Sequence, residues 1–259
     1  MSRRRALVGA ALAFALALSA CVSTETSSTE SGGDGRSGEF TVFAAASLRV
    51  AFEEIADLFT EEHPNAAVRF SFAGSSDLVA QVDAGAPADV LATADEATMG
   101  NAVGAGTIAG EPTIFATNVL TLVTPAANPA GITGLDASLE DAMLVVCAPQ
   151  VPCGGATHTL VERLGITLSP VSEESSVTDV LAKVTSGQAD AGLVYATDAL
   201  TAGDEVEVIA VPSAEDVVVR YPVAVVADAP RPELAQAWVD LVTGEAARDV
   251  LDESGFGAP

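Results

Sequence analysis

The stretch Thr41-Val-Phe-Ala-Ala-Ala-Ser-Leu48 decides how the rest of the chain is read. It is an apolar strand over residues 40–44 that passes through alanines to Ser47 and turns at once into a helix. Leu48, Phe52, Ile55 and Phe59 fall at i, i+4, i+7 and i+11, one apolar stripe at the helical period, with Arg49, Glu53, Glu54 and Asp57 off it. Ser47 therefore stands at a helix N-terminus, on a tip left bare by small neighbours. The first backbone N–H groups of a helix have no partner within it, and the aligned peptide dipoles leave about half a positive charge there. Such a tip can hold an anion, the serine giving hydroxyl and amide to one guest. The plainer alternative is that Ser47 caps its own helix.

Outward from this junction, strands and helices alternate. Residues 67–72 read as a strand by their period of two, and Ser75 opens a second helix carrying Leu78, Val79 and Val82, stopped by Gly85 and Pro87. Residues 89–93 form a third strand, and βαβαβ argues for a parallel sheet. Residues 118–124 read as one long strand crossing into a second lobe. Residues 144–148 lead through Pro149 to Gly154 and a helix with Leu160, Val161 and Leu164, so Cys153 lies at a third helix N-terminus. A fourth helix carries Val180, Leu181 and Val184, with Val177 at its mouth. The apolar strand 191–195 delivers Tyr195 at its end, where open α/β sheets face their ligand crevice. Residues 206–211 and 217–226 read as strands returning the chain to the first lobe. Two short amphipathic helices follow, around Leu234, Trp238 and Leu241 and around Ala247, Val250 and Leu251. The expected fold is α/β and two-lobed, each lobe a largely parallel sheet flanked by helices, joined by crossing strands. Its parts are 40–118 and 213–259 for lobe I and 119–212 for lobe II; no internal repeat is evident.

The N-terminus reads as a targeting segment. Arg3, Arg4 and Arg5 precede an apolar core over 6–16, and Leu18-Ser-Ala-Cys21 resembles the lipobox of bacterial lipoproteins. That resemblance implies loss of residues 1–20, diacylglyceryl attachment to the Cys21 sulfur, and tethering to the outer face of the cytoplasmic membrane; a plain secretory signal is the alternative. Loss of three arginines takes the formal charge from −25 to −28. Such a field excludes a nucleic-acid role and opposes the approach of any anion, so an anion would have to be held by local dipoles. Residues 21–39 are Ser, Thr, Gly and Glu with little to bury, a flexible tether. Gly33-Asp-Gly-Arg-Ser-Gly38 matches G-x-G-x-x-G but precedes a strand and opens no helix, so it fails the context of a dinucleotide site. With Cys21 lipidated, Cys147 and Cys153 remain, and in an exported chain a disulfide is expected. A metal pair or catalytic thiol would want a histidine or acid close by, and only His158 is near.

Four strand-to-helix junctions thus carry Ser47, Ser75, Cys153 and Val177, two from each lobe, with a tyrosine at a strand end. A tetrahedral oxyanion, an acceptor at every corner, suits such a set. The runs Val42-Phe-Ala-Ala-Ala-Ser-Leu48, Phe72-Ala-Gly-Ser-Ser76, Gly85-Ala-Pro-Ala-Asp89, Val151-Pro-Cys-Gly154, Gly192-Leu-Val-Tyr-Ala-Thr-Asp198 and Tyr221-Pro-Val-Ala-Val225 also resemble, in order over 40–257, the periplasmic molybdate-binding proteins of ABC-type importers. The resemblance implies a type II periplasmic-binding fold that closes on molybdate or tungstate as ligand, needs no cofactor, catalyses nothing, and works as a monomer delivering to an ABC permease and its ATPase. It implies hydroxyl and amide donors at Ser47 and Ser75, a hydroxyl donor at Tyr195, and amide donors at Cys153 and Val177, with no cationic metal. Two other readings stand beside it: sulfate or another tetrahedral dianion as guest, and a secreted hydrolase using Ser47 or Ser75. The latter has no G-x-S-x-G elbow and no histidine in a base-like context. Ser76 is expected to cap its helix, Asp89 to be structural, Tyr195 taken alone to be a core residue with a satisfied hydroxyl, and His63 to be exposed and idle.

Overall fold

In the computed structural model, which describes residues 37–259, the chain begins with β1 (Gly38–Ala45), a 3-10 turn at Ala46–Leu48, α1 (Arg49–Glu62), β2 (Ala66–Ala73), α2 (Ser75–Asp83) and β3 (Val90–Ala92). It continues through α3 (Glu96–Ala105), β4 (Ile108–Asn118), β5 (Leu120–Pro125), β6 (Leu144–Cys147), α4 (Pro152–Leu164), β7 (Ser172–Glu174) and α5 (Val177–Thr185). The last elements are β8 (Ala191–Tyr195), α6 (Ala196–Ala202), β9 (Val206–Ile209), β10 (Val219–Val226), α7 (Pro232–Val242) and α8 (Glu245–Glu253). The expected signal segment 1–20, the lipidation site Cys21 and nearly all of the 21–39 tether lie outside the described residues.

Two five-stranded sheets result, ordered β2-β1-β3-β10-β4 and β7-β6-β8-β5-β9. In the first, β1 runs parallel to β2 and β3, while β10 is antiparallel to both of its neighbours. The second repeats the pattern: β6 is parallel to β7 and β8, and β5 is antiparallel to β8 and β9. The two halves therefore share a plan that the sequence does not display.

The stripe read from the sequence is the stripe that is buried: Leu48, Phe52, Ile55 and Phe59 are all fully buried, each contributing about 1.5–3 kcal/mol. Side chains alternate across β1, so Phe40 faces Trp238, which also packs on Phe52, Phe59 and Phe70 with ring centroids 5.5–5.6 Å away. On the opposite face Phe43 joins Leu78, Val79, Val82, Leu91 and Met99 beneath α2 and α3. Asp89 is buried and accepts from the Thr41 amide at 2.7 Å and the Arg231 amide at 2.6 Å, tying β1 to the start of α7. Its structural reading holds.

Other expectations change. Residues 118–124 are not one strand: β4 ends in the first sheet at Asn118 and β5 begins in the second at Leu120. The Asn118 side chain accepts from the Val119 amide at 2.9 Å, supplying the partner that the ladder loses at the crossing. Of the two strands expected to return the chain, β9 stays in the second sheet and only β10 enters the first. Helix α3 and strand β4 were not expected. α3 carries Gly100 and Gly104 and buries little beyond Thr98, Met99 and Ala102, and Gly110 and Pro112 interrupt β4. β4 is an edge strand, and the C-terminal tail covers part of it, Thr117 and Gly257 exchanging amide bonds of 2.9 Å. β10 lies between two partners yet contains Pro222, which is accommodated where its register with β4 slips between Tyr221 and Pro222. His63 is half-buried and packs on the Phe59 ring at 4.6 Å, not exposed and idle.

Candidate binding site

Each sheet contributes three parallel strands whose carboxyl ends point to the same space. The turns after β1, β2 and β3 bring Ser47, Ser75 and Ala94; the turns after β6 and β7 bring Cys153 and Val177, and β8 ends on Tyr195. All six line one cavity, so the five residues expected from the sequence are brought together. Among the described residues no charged side chain lines it. The cavity is small, about 20 Å³ in volume. One water needs about 10–15 Å³, so with the lobes placed as they are the cavity suits a small guest.

The residues around the cavity are fixed by their neighbours. Ser75 is buried, and its Oγ accepts from the Ala94 amide at 3.0 Å, which leaves its proton free for the cavity. Ser47 makes no capping bond to its helix; its Oγ lies 3.0 Å from the Tyr221 hydroxyl. Its helix begins with the 3-10 turn Ala46–Leu48 before α1 proper. Val177 is the first residue of α5, whose tip is capped by Ser176 Oγ accepting from the Asp179 amide at 3.2 Å. Cys153 is the second residue of α4 and forms the expected disulfide with Cys147, Cα atoms 5.6 Å apart. A Cβ on the adjoining Gly154 would lie 1.9 Å from the Ala148 carbonyl oxygen, so only glycine lets this helix start so close to its strand.

Tyr195 departs from its plainer reading. It is buried, and its hydroxyl has no hydrogen-bond partner among the described residues. Burial pushes its ionisation well above the usual phenol range, with Tyr221, Asp95 and Asp198 adding to the effect, so it remains a donor. Tyr221 is raised in the same way, chiefly by burial. Behind the site Asp198 accepts from the Tyr195 amide at 3.2 Å, and burial lifts its carboxyl from 3.8 to about 7 against the lowering effect of that bond.

Across the cavity the lobes touch. Ser76, expected to cap α2, instead donates to the Gln150 carbonyl of the other lobe at 2.9 Å; α2 starts from Gly74. A Cβ on Gly74 would lie 2.2 Å from the Ser175 carbonyl oxygen, also of the other lobe. Neither histidine lines the cavity: His158 is exposed beside Glu162, and His63 packs on Phe59. Among the described residues no cluster of three or more His, Cys, Asp or Glu could hold a metal ion.

Residues 40–257 match the family described as bacterial extracellular solute-binding protein. The chain belongs to this family. Among related solute-binding proteins, the molybdate-binding protein ModA of Mycobacterium tuberculosis is 46% identical over 243 residues, 93% of each chain. The molybdate-binding protein ModA of Escherichia coli is 34% identical over 96% of this chain and 95% of its own. The solved periplasmic molybdate-binding protein of Azotobacter vinelandii has a like fold, with a TM-score of 0.74 at 21% identity over 85% of this chain and 99% of its own. As a solute-binding protein the chain places its crevice at strand ends, as open α/β sheets do. Sequence reasoning missed Tyr221, Asn118 and Ala94 at this site. One signal was available for Tyr221: the chain has two tyrosines, and both are here.

Proposed function

We propose that this solute-binding protein captures molybdate, and tungstate with it, in the interlobe cavity and hands it to an ABC permease driven by its ATPase. The observation that carries the reading is the Tyr195 hydroxyl, buried without a partner among the described residues in the same small uncharged cavity as the hydroxyls of Ser47 and Ser75. A buried donor left unpaired costs about 1–3 kcal/mol, so a guest that accepts from every side would be stabilised there. A tetrahedral dianion is such a guest. Ser47 and Ser75 would give it hydroxyl and amide, Tyr195 its hydroxyl, and Cys153 and Val177 their amides, with helix tips in place of formal positive charge. The 46% identity to ModA supports molybdate over other oxyanions of that shape.

In this reading the lobe built from 40–118 and 213–259 closes on the lobe built from 119–212 by bending at the two crossings. No bond is made or broken in the guest, so the protein is a receptor and not an enzyme. A lipid on Cys21, after loss of residues 1–20, keeps the monomer at the outer face of the cytoplasmic membrane. Calorimetric titration with molybdate, tungstate, sulfate and phosphate tests the central claim. One-to-one binding of molybdate and tungstate, with sulfate and phosphate much weaker, is expected. Tight sulfate binding without a response to molybdate would replace the guest, and ester turnover abolished by Ser47→Ala would replace the function.

A further inference from the structure

Ser75 and Ser47 are prepared alike by different means. The Ala94 amide occupies a lone pair of Ser75 Oγ, so the Ser75 proton can go only elsewhere. At Ser47 the neighbour is Tyr221 Oη, 3.0 Å away, and distance alone does not say which hydroxyl donates. The surroundings of Tyr221 do. Asn118 Oδ1 accepts from the Val119 amide at 2.9 Å, which fixes the side-chain amide and turns its Nδ2 toward Thr197 Oγ1 at 2.8 Å and Tyr221 Oη at a longer 3.5 Å. Nδ2 has only protons to offer, so Tyr221 Oη accepts on that side. Among the described residues the acceptor within hydrogen-bond distance of the Tyr221 proton is Ser47 Oγ at 3.0 Å; the Tyr195 hydroxyl, though near, lies farther off. The opposite direction would leave a fully buried phenol proton facing the protons of Asn118.

We infer that Tyr221 is a positioning residue: it donates to Ser47 Oγ and so aims the Ser47 proton into the cavity before a guest arrives. This rests on the reading of the cavity as an oxyanion site. The line of bonds begins at Asn118, where β4 leaves the first sheet, and touches Thr197 on α6 in the second lobe, so the donor is set by the residue at the crossing. A donor oriented in advance spares the ordering that binding otherwise requires.

A double-mutant cycle read by calorimetry with molybdate tests this. Tyr221→Phe keeps the ring and should weaken binding about tenfold; Ser47→Ala should weaken it about tenfold to a hundredfold; Tyr221→Phe in the Ser47→Ala background should add almost nothing. A purely structural role would give the same loss in both backgrounds, and that additivity, or an unchanged affinity in Tyr221→Phe, overturns the proposal. A wild-type chain that takes up no tetrahedral oxyanion overturns the reading of the cavity and this proposal with it, whereas wild-type binding with additive variants overturns this proposal alone. Should Tyr221→Phe not fold, fluorotyrosine labelling serves, since the chain has two tyrosines and Tyr195→Phe assigns the signals. The Tyr221 fluorine resonance is expected to move on Ser47→Ala, and a resonance that stays in place counts against the hydrogen bond.

Discussion

A buried phenol hydroxyl without a partner among the described residues is a cost that folding alone would not keep, and Tyr195 carries one. Replacing it with Phe keeps the ring and its packing and removes a charge-assisted bond from the complex. Tyr195→Phe should therefore weaken molybdate binding about tenfold to a hundredfold while the ligand-free melting temperature stays the same or rises; calorimetry and thermal denaturation check the two halves separately. Asp198 gives a pH signature. Its carboxyl titrates near 7 when folded and near 3.8 when unfolded, so the native state keeps the proton longer. Between about pH 4 and 7 its contribution to stability falls as pH rises, by about 4 kcal/mol in all, and is flat beyond. Asp198→Asn should abolish that part of the slope, so the stability of the variant relative to wild type in denaturant titrations should rise from pH 4 to 7; a constant difference would count against it. Ser47, Ser75, Cys153, Val177 and Tyr195 were legible because each sits at a strand-to-helix junction, a local pattern. The role of Tyr221 was not, because its partner Ser47 is 174 positions away and nothing in the sequence marks the pairing.

Junctions, more than strands or helices, organise this fold at the level of its elements. The α1 stripe was readable because four large apolar residues repeat at the helical period, whereas α3, built of Ala and Gly with few side chains to bury, has almost no stripe. The break at Val119 was hidden for a related reason: both sides of it are apolar and strand-like, and only the Asn118 side chain tells them apart. The disulfide belongs to this level, since it fastens the end of β6 to the first turn of α4. Because the donor read at Cys153 is its amide and not its sulfur, the pair Cys147→Ala and Cys153→Ala should cost about 2 kcal/mol of stability by the loop-entropy relation yet change molybdate affinity less than tenfold. Chemical denaturation and calorimetry on the same variant separate these effects; a collapse of binding in a folded variant would show that the bridge holds the amide in place.

The whole molecule is two sheets with one strand plan, meeting at the carboxyl ends of their parallel strands, and its closeness there can be tested at Gly74. That residue has an ordinary backbone conformation, φ −59°, so alanine is no strain within its own lobe. Only the other lobe objects, through Ser175. Gly74→Ala should leave the ligand-free protein as stable as before, weaken molybdate binding more than tenfold, and reduce the ligand-induced contraction seen by small-angle X-ray scattering; full contraction in the variant would mean that the lobes need not come so near. The absence of charged side chains from the cavity lining among the described residues has its own outcome when set against a formal charge of −25 on the chain. An oxyanion drifting toward this surface is pushed back until it is within reach of the helix tips. Dissolved electrolyte shortens that repulsion, from a range of about 30 Å at 0.01 M to about 3 Å at 1 M. Stopped-flow traces should then show the encounter quickening with ionic strength while departure of the ion barely changes, so this receptor would fill fastest in brine.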